Sequence, residues 1–185
     1  MKLENSFEVP APPEQAWALL MDVPRVIPCM PGATLDEAVD DDNWKATIAV
    51  KLGPISLSFK TDVKREQADA GPRTTKLVAK AREARGRGNA SATIESSLTP
   101  HNGGTRVDIV TDLQLAGAVA QYGRGLVQDV SSQLVTQFAD CLKAQLAASP
   151  QEAADAMKAD SKPVGGLRLG FSALWRSFHR LFRRG

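Results

Sequence analysis

The sequence has little of the chemistry that most enzymes use. Its 185 residues include only two histidines, two cysteines and one tyrosine. Two histidines argue against both a histidine-rich zinc site and a Ser-His-Asp triad. Cys29 and Cys141 lie far apart in the chain and in no metal-ligand spacing. No run of about 20 apolar residues occurs, so we expect no membrane-spanning helix.

The first ten residues also lack the apolar stretch of a secretory signal, because they are charged and alternate with polar positions. Together with the sparse cysteines, this predicts a reducing, cytoplasmic setting. Hydrophobic residues make up 43% of the chain, which suffices for a packed core. A length above the usual domain size of roughly 100–150 residues favours one domain plus an appendage.

The net charge of +2 conceals a division along the chain. Residues 161–185 contain six basic residues and no acidic one, so the rest of the chain has a net charge of −4. An acidic body with a purely basic end indicates a partner for that end.

Alternating apolar and polar residues predict a series of strands separated by short turns. The runs are 3–9, 33–39, 44–52, 55–63, 74–83, 90–99 and 107–115. Since no helix separates the last six, the sheet should be antiparallel, with one face in water. Helical spacing at 119–146 supplies the cover, and three prolines in 22–32 leave room for at most one short helical turn. We predict an α+β helix-grip fold, a curved antiparallel sheet of about seven strands around a long C-terminal helix.

Small residues interrupt the inward face of this sheet. Ala79, Ala81, Ala90, Ala92 and Ser96 stand where a tight core would have larger side chains. Either the helix sits closer at this point, or an apolar ligand cavity lies between helix and sheet. The residues predicted to line such a cavity are Trp17, Trp44, Ile48, Phe59, Leu77, Ala79, Ala92, Ile94, Leu113, Tyr122, Leu126, Val130 and Leu134. The hydroxyl group of Tyr122 would contact a polar head of the ligand, or its ring would close the core.

The end of the chain has the pattern of an amphipathic helix. Residues 1–147 form the predicted ligand-binding domain, 148–166 a flexible linker and 167–185 a basic amphipathic segment. Aromatic and leucine side chains on one face, with arginines opposite, are typical of a helix on an anionic membrane surface. Docking on its own body or in a partner's groove is the alternative. The predicted membrane-binding residues are Phe171, Leu174, Trp175, Arg176, Phe178, Arg180, Leu181, Phe182, Arg183 and Arg184.

Sequence motifs for catalysis are weak. Residues 86–89, Gly-Arg-Gly-Asn, lack the third glycine of a phosphate-binding loop and precede a strand rather than a helix. Three aspartates at 40–42 lack the spacing of a calcium loop and fit a solvated turn. Neither His101 nor His179 has an acid–base partner nearby in the sequence. We predict no catalytic residue, no metal ion and no nucleic-acid partner.

Several short motifs, taken in order, resemble the CoxG family of carbon monoxide dehydrogenase proteins, within the START and birch-pollen-allergen-like superfamily. They are Val9-Pro10-Ala11-Pro12-Pro13 with Trp17 and Leu20, Cys29-Met30-Pro31-Gly32-Ala33, Val50-Lys51-Leu52-Gly53-Pro54-Ile55, Gly86-Arg87-Gly88-Asn89-Ala90, Gly103-Gly104-Thr105, and Gly117 with Tyr122-Gly123. The resemblance covers the chain from Met1 to about Leu146. Met30 departs mildly from the family, which commonly has an aliphatic residue there.

The resemblance implies an accessory protein without enzymatic activity. Such a protein would recruit a molybdenum hydroxylase of the carbon monoxide dehydrogenase type to the inner face of the cytoplasmic membrane. It would also bind a lipophilic molecule, with a respiratory quinone as the expected ligand and no covalent cofactor, and so link the enzyme to electron transport. The alternatives are a general lipid carrier and a small cyclase-type enzyme.

Overall fold

The structure, a computed structural model, describes residues 1–52 and 55–147. The first of two compact units spans Met1–Ala147. The predicted linker and amphipathic segment lie outside the described residues, and the domain boundaries stay a prediction.

Seven strands form one antiparallel sheet, as the alternation predicts. They are β1 (Lys2–Val9), β2 (Ala33–Ala38), β3 (Asn43–Leu52), β4 (Ile55–Asp69), β5 (Thr74–Glu83), β6 (Gly88–His101) and β7 (Gly104–Gly117). Their order across the sheet is β1-β7-β6-β5-β4-β3-β2. The β6–β7 hairpin turns at Asn102 and Gly103, whose φ angles of 46° and 78° suit a tight two-residue turn.

Three α-helices accompany the sheet: α1 (Pro13–Met21), α2 (Val23–Val26) and α3 (Arg124–Ala147). The prediction of at most one short turn in 22–32 is wrong, because α2 is followed at once by a 3₁₀ turn, Ile27–Cys29. Pro24 and Pro28 each lie in the first turn of their element, where a missing N–H costs nothing. The long helix begins later than predicted, because a separate 3₁₀ turn, Ala118–Gln121, precedes it.

One face of the sheet packs against the helices. Phe7 pairs with Val107, and Val107 pairs with Leu98, so the three side chains share a face. They belong to a buried cluster with residues of α1, α2 and the C-terminal half of α3. The Phe7 and Phe138 rings meet edge to face with centroids 6.0 Å apart. We call this the core cluster; it is Phe7, Val9, Ala16, Leu19, Val26, Cys29, Leu98, Val107, Ala139 and Leu142.

A disulfide joins the 3₁₀ turn Ile27–Cys29 to α3. Cys29 and Cys141 are bonded, with Cα atoms 5.3 Å apart across a sequence separation of 112. Beside it, Gln145 Nε2 donates to the Arg25 carbonyl oxygen at 3.3 Å and to Cys29 Sγ at 3.2 Å. The argument for a reducing compartment from cysteine use therefore fails, because distance along the chain does not measure distance in the fold.

The glycines at 86–89 belong to a strand entry rather than a phosphate loop. Gly88 opens β6 and pairs with Gly117 at the end of β7. A Cβ atom on Gly88 would lie 2.1 Å from the Ala116 carbonyl oxygen, so the two strands meet here only because both residues lack side chains.

Candidate functional site

The inner face of the sheet continues beyond the core cluster as an apolar surface. Pairing places Ala79 opposite Ala92 and Ala92 opposite Leu113, while Leu77 faces Ile94 and Ile48 faces Phe59. These seven predicted cavity residues therefore lie on one face, in neighbouring rows. We call this surface the inner groove.

Side chains of the inner groove are less covered than those of the core cluster. Every one of its seven residues is half-buried, whereas the core cluster residues are at most 9% exposed. Ala81 and Ala90 extend the same face as a further pair of small residues. A row of methyl groups where a packed core would have leucine or isoleucine leaves this surface accessible.

The long helix lies beside the groove. α3 contacts β1 and the 3₁₀ turn Ile27–Cys29, and Asn5 Nδ2 donates to Ser131 Oγ at 3.0 Å. In its N-terminal half, Val130 and Leu134 are half-buried and Leu126 is 40% exposed. The apolar residues of this half are thus only partly covered, in contrast to Ala139 and Leu142 in the C-terminal half.

The remaining predicted cavity residues occupy different places. Trp17 of α1 packs against the core cluster. Trp44 is 3% exposed, and the Arg65 guanidinium lies over its ring at 5.2 Å from the centroid. Tyr122 is half-buried in the link between the 3₁₀ turn Ala118–Gln121 and α3. The assignment of all thirteen residues to a ligand site stays a prediction.

Sequence reasoning missed two charged side chains on the inner face. Glu83 ends β5, pairs with Phe59 and is 5% exposed. Its carboxylate accepts the backbone N–H groups of Arg85 at 2.8 Å and Arg87 at 3.1 Å. Burial raises the pKa of Glu83, but these hydrogen bonds outweigh it and the pKa is lowered overall.

Arg65 is the second of these charged groups, and its hydrogen bonds go to the 40–43 turn and the end of α1. Its Nε donates to Asp42 Oδ1 at 2.8 Å, and its two terminal nitrogens donate to the Asp41 carbonyl at 2.6 Å and the Met21 carbonyl at 3.1 Å. Both inner-face charges therefore hold turns in place. A β-bulge between Arg65 and Gln67 interrupts the alternation that would have revealed this contact.

The weaker candidate motifs have structural roles. Asp40 Oδ1 accepts from the Asp42 N–H at 2.9 Å and from Asn43 Nδ2 at 2.8 Å, which makes 40–43 a self-contained turn. His101 lies exposed, with Nε2 3.2 Å from Glu8 Oε1. Within 1–52 and 55–147, no three His, Cys, Asp or Glu side chains converge as metal ligands.

For the predicted membrane contact, the described residues contain no helix long and apolar enough to cross a membrane. The ten predicted membrane-binding residues, from Phe171 to Arg184, lie outside that part of the chain.

Comparison with solved structures establishes the fold. A conserved protein from Geobacillus kaustophilus matches with a TM-score of 0.69 and 21% identity, covering 84% of this chain and 97% of that one. The Zhui aromatase/cyclase from a Streptomyces species matches with a TM-score of 0.54 and 12% identity, covering 90% and 99%. Ara h 8.0201 matches with a TM-score of 0.51 and 15% identity, covering 75% and 92%. The predicted helix-grip fold of the START and birch-pollen-allergen-like proteins is thereby confirmed.

The family follows from the sequence match. Residues 6–147 match the CoxG subunit of carbon monoxide dehydrogenase, while no curated protein matches the chain. The family name implies association with carbon monoxide dehydrogenase, and family and fold together suggest a hydrophobe-binding accessory protein. The match spans the sheet, the inner groove and α3, and so this chain belongs to the CoxG family of carbon monoxide dehydrogenase proteins.

Proposed function

We propose that this protein is a non-enzymatic accessory factor of a molybdenum hydroxylase of the carbon monoxide dehydrogenase type. It recruits that enzyme to the cytoplasmic membrane and binds a respiratory quinone in the inner groove, thereby linking the enzyme to electron transport. The observation that carries the proposal is the half-buried apolar surface of the groove in a chain of this family.

The composition of the groove favours a lipophilic ligand. Aliphatic, alanine and phenylalanine side chains line it, and burying apolar ligand surface against them yields roughly 25 cal/mol for each Å². A flat quinone ring fits beside the alanine pair Ala79 and Ala92 because their methyl groups project least from the sheet.

The inner-face charges support a binding role rather than catalysis. A cyclase or hydrolase needs a side chain that gives or takes a proton at the reacting atom. On the described inner face, the carboxylate of Glu83 binds backbone N–H groups and the guanidinium of Arg65 binds carbonyl and carboxylate oxygens. Neither group is directed at a bound molecule.

A substitution within the alanine pair tests ligand binding. Ala92→Phe fills the groove, so we expect at least a tenfold weaker dissociation constant for a short-chain quinone, about 1.4 kcal/mol. Tryptophan fluorescence during titration measures it, with Trp44 in the inner face as a reporter. Thr93→Phe adds a similar ring to the opposite face at the next residue and is the matched control.

Two outcomes contradict the quinone assignment. One is the absence of saturable binding to the unaltered chain. The other is equal affinity in the Ala92→Phe and Thr93→Phe variants, which would place the ligand elsewhere. Binding of many lipids but no association with a purified molybdenum hydroxylase would favour the general carrier instead.

A further inference from the structure

The outer face of the sheet, opposite the inner groove, has its charges separated into two halves. Outward residues of β3, β4 and β5 include seven basic and three acidic side chains. They are Lys45, Lys51, Lys60, Lys64, Lys76, Lys80 and Arg82, with Asp62, Glu66 and Asp69. Outward residues of β6, β7 and β1 reverse the balance, with five acidic side chains, Glu4, Glu8, Glu95, Asp108 and Asp112, against Lys2 and Arg106. A protein whose body is acidic overall therefore presents a basic area on half of one face.

Two adjoining hollows mark the basic half. The first, of about 420 Å³, is lined by Lys80, Arg82 and polar side chains of β6 and β7. The second, of about 430 Å³, is lined by residues of β3, β4 and β5, including Lys45 and Lys64. Asp62 and Lys80 line both, so the hollows are neighbours across the centre of the sheet. We call them together the outer hollow.

Several cations of the outer hollow are available for a partner. Lys45 pairs with Glu37 at 2.7 Å and is thereby engaged within the protein. Lys64, Lys80 and Arg82 are exposed and form no ion pair within 4 Å with any described residue. Three cations without internal partners on a concave surface attract an acidic group without breaking an existing pair.

We propose that the outer hollow is a docking site for an acidic segment of a partner protein. The inference rests on the proposed function, under which that partner is the molybdenum hydroxylase. The cations Lys64, Lys80 and Arg82 bind carboxylates of the segment. The neutral groups of Asn89, Ser91 and Gln114 line the first hollow, where they hydrogen-bond its backbone.

The shape and the mixed charge favour a protein over a lipid surface. Asp62 and Glu66 lie among the cations, and each would face phosphate groups if an anionic bilayer covered this face. A flat bilayer also cannot enter a hollow, whereas a protruding loop with both donors and acceptors can. A docked segment there leaves the inner groove uncovered, since the two surfaces lie on opposite sides of one sheet layer.

Reversal of charge at two positions tests this site in the full-length chain. Lys80→Glu with Arg82→Glu changes the net charge by −4 within the outer hollow. Lys2→Glu with Arg106→Glu makes the same change in the acidic half of the same face and serves as the control. Binding to the purified molybdenum hydroxylase is measured by surface plasmon resonance, and circular dichroism verifies the fold of each variant.

We expect the first pair to weaken binding at least tenfold at about 50 mM salt and the control pair to change it less than twofold. The difference should shrink near 1 M salt, where the screening length falls to about 3 Å. Equal binding of both variants and the unaltered chain would overturn the docking site while leaving recruitment intact. Equal weakening by both pairs would also overturn it, since net charge alone would then explain the loss.

Two further outcomes separate this inference from the proposed function. If the unaltered chain does not bind the hydroxylase, recruitment fails and the docking site with it. If the first pair lowers binding to phosphatidylglycerol vesicles but not to the enzyme, the outer hollow is a membrane surface and the proposal is wrong.

Discussion

Glu83 is a buried carboxylate whose neighbours keep it ionised. The backbone N–H groups of Arg85 and Arg87 donate to it from the turn between β5 and β6. Its side chain therefore fixes the turn that leads into Gly88 and the close approach of β6 to β7. The sequence places a charge at this position in the inward phase of the strand, and only the turn geometry explains it.

The lowered pKa of Glu83 predicts how stability responds to acid. Because the folded pKa lies below the ordinary value of 4.5, the carboxylate stabilises the fold above about pH 4.5, and this contribution is lost as the pH falls through the folded value. We expect Glu83→Gln to be less stable than the unaltered chain at pH 7 and to lose less stability between pH 7 and acid. Urea unfolding at a series of pH values measures this.

Glu95→Gln is the control for that series, because Glu95 is exposed on the outer face of β6. Its stability should follow the unaltered chain throughout. Parallel pH curves for Glu83→Gln and the unaltered chain would contradict the role given to Glu83.

At the scale of elements, the disulfide between Cys29 and Cys141 determines where α3 begins its contact with the rest of the fold. It ties the last two turns of α3 to the 3₁₀ turn after α2, next to the Gln145 amide. The Gln145 Oε1 atom is buried without a partner within the described structure. This junction between helix end and prolines therefore depends on the covalent link more than on hydrogen bonds.

Removing that link should cost substantial stability. A loop of about 100 residues closed by a disulfide stabilises a fold by up to about 4.7 kcal/mol in the chain-entropy view, and measured losses run about 2–5 kcal/mol. We expect Cys29→Ala with Cys141→Ala, or reduction of the unaltered chain, to lower the free energy of unfolding by this amount. Urea denaturation measures the loss, and reductant should leave the double variant unchanged. Two reactive thiols in the untreated native protein would contradict the disulfide.

The strands could be predicted from the sequence because their signal is local. Alternation identifies all seven strands, and small residues such as Ala79 and Ala92 correctly indicate an underfilled inner face. The disulfide could not be found in this way, since it depends on α3 returning to the prolines after 112 residues. The contact of Arg65 with the 40–43 turn was hidden by a bulge, which shifts the phase of β4.

At the scale of the whole molecule, charge divides the chain into parts with different partners. Residues 161–185 carry six basic and no acidic residues, against a net −4 in the rest. The described unit adds a second division, between the basic and acidic halves of the outer face. An overall charge near zero therefore combines surfaces that suit an anionic membrane, an acidic protein segment and an apolar ligand.

Deletion of residues 167–185 tests the membrane part of this arrangement. Each arginine near an anionic surface contributes about 1 kcal/mol, in addition to the burial of the apolar side chains. We expect co-sedimentation with phosphatidylglycerol vesicles to fall at least tenfold, while quinone binding by the remaining body is unchanged. Undiminished sedimentation of the shortened chain would contradict the anchor.

The disulfide also limits how the groove can change its width. Cys141 fixes one end of α3, whereas Leu126 lies roughly 22 Å away along the helix axis and is 40% exposed. Gly123 and Gly125 flank the first residue of the helix, and a Cβ atom on either would meet nothing within 4 Å. The helix is thus a lever with its pivot at Cys141, so the geometry lets a wide molecule enter by swinging the Leu126 end outward, past Tyr122.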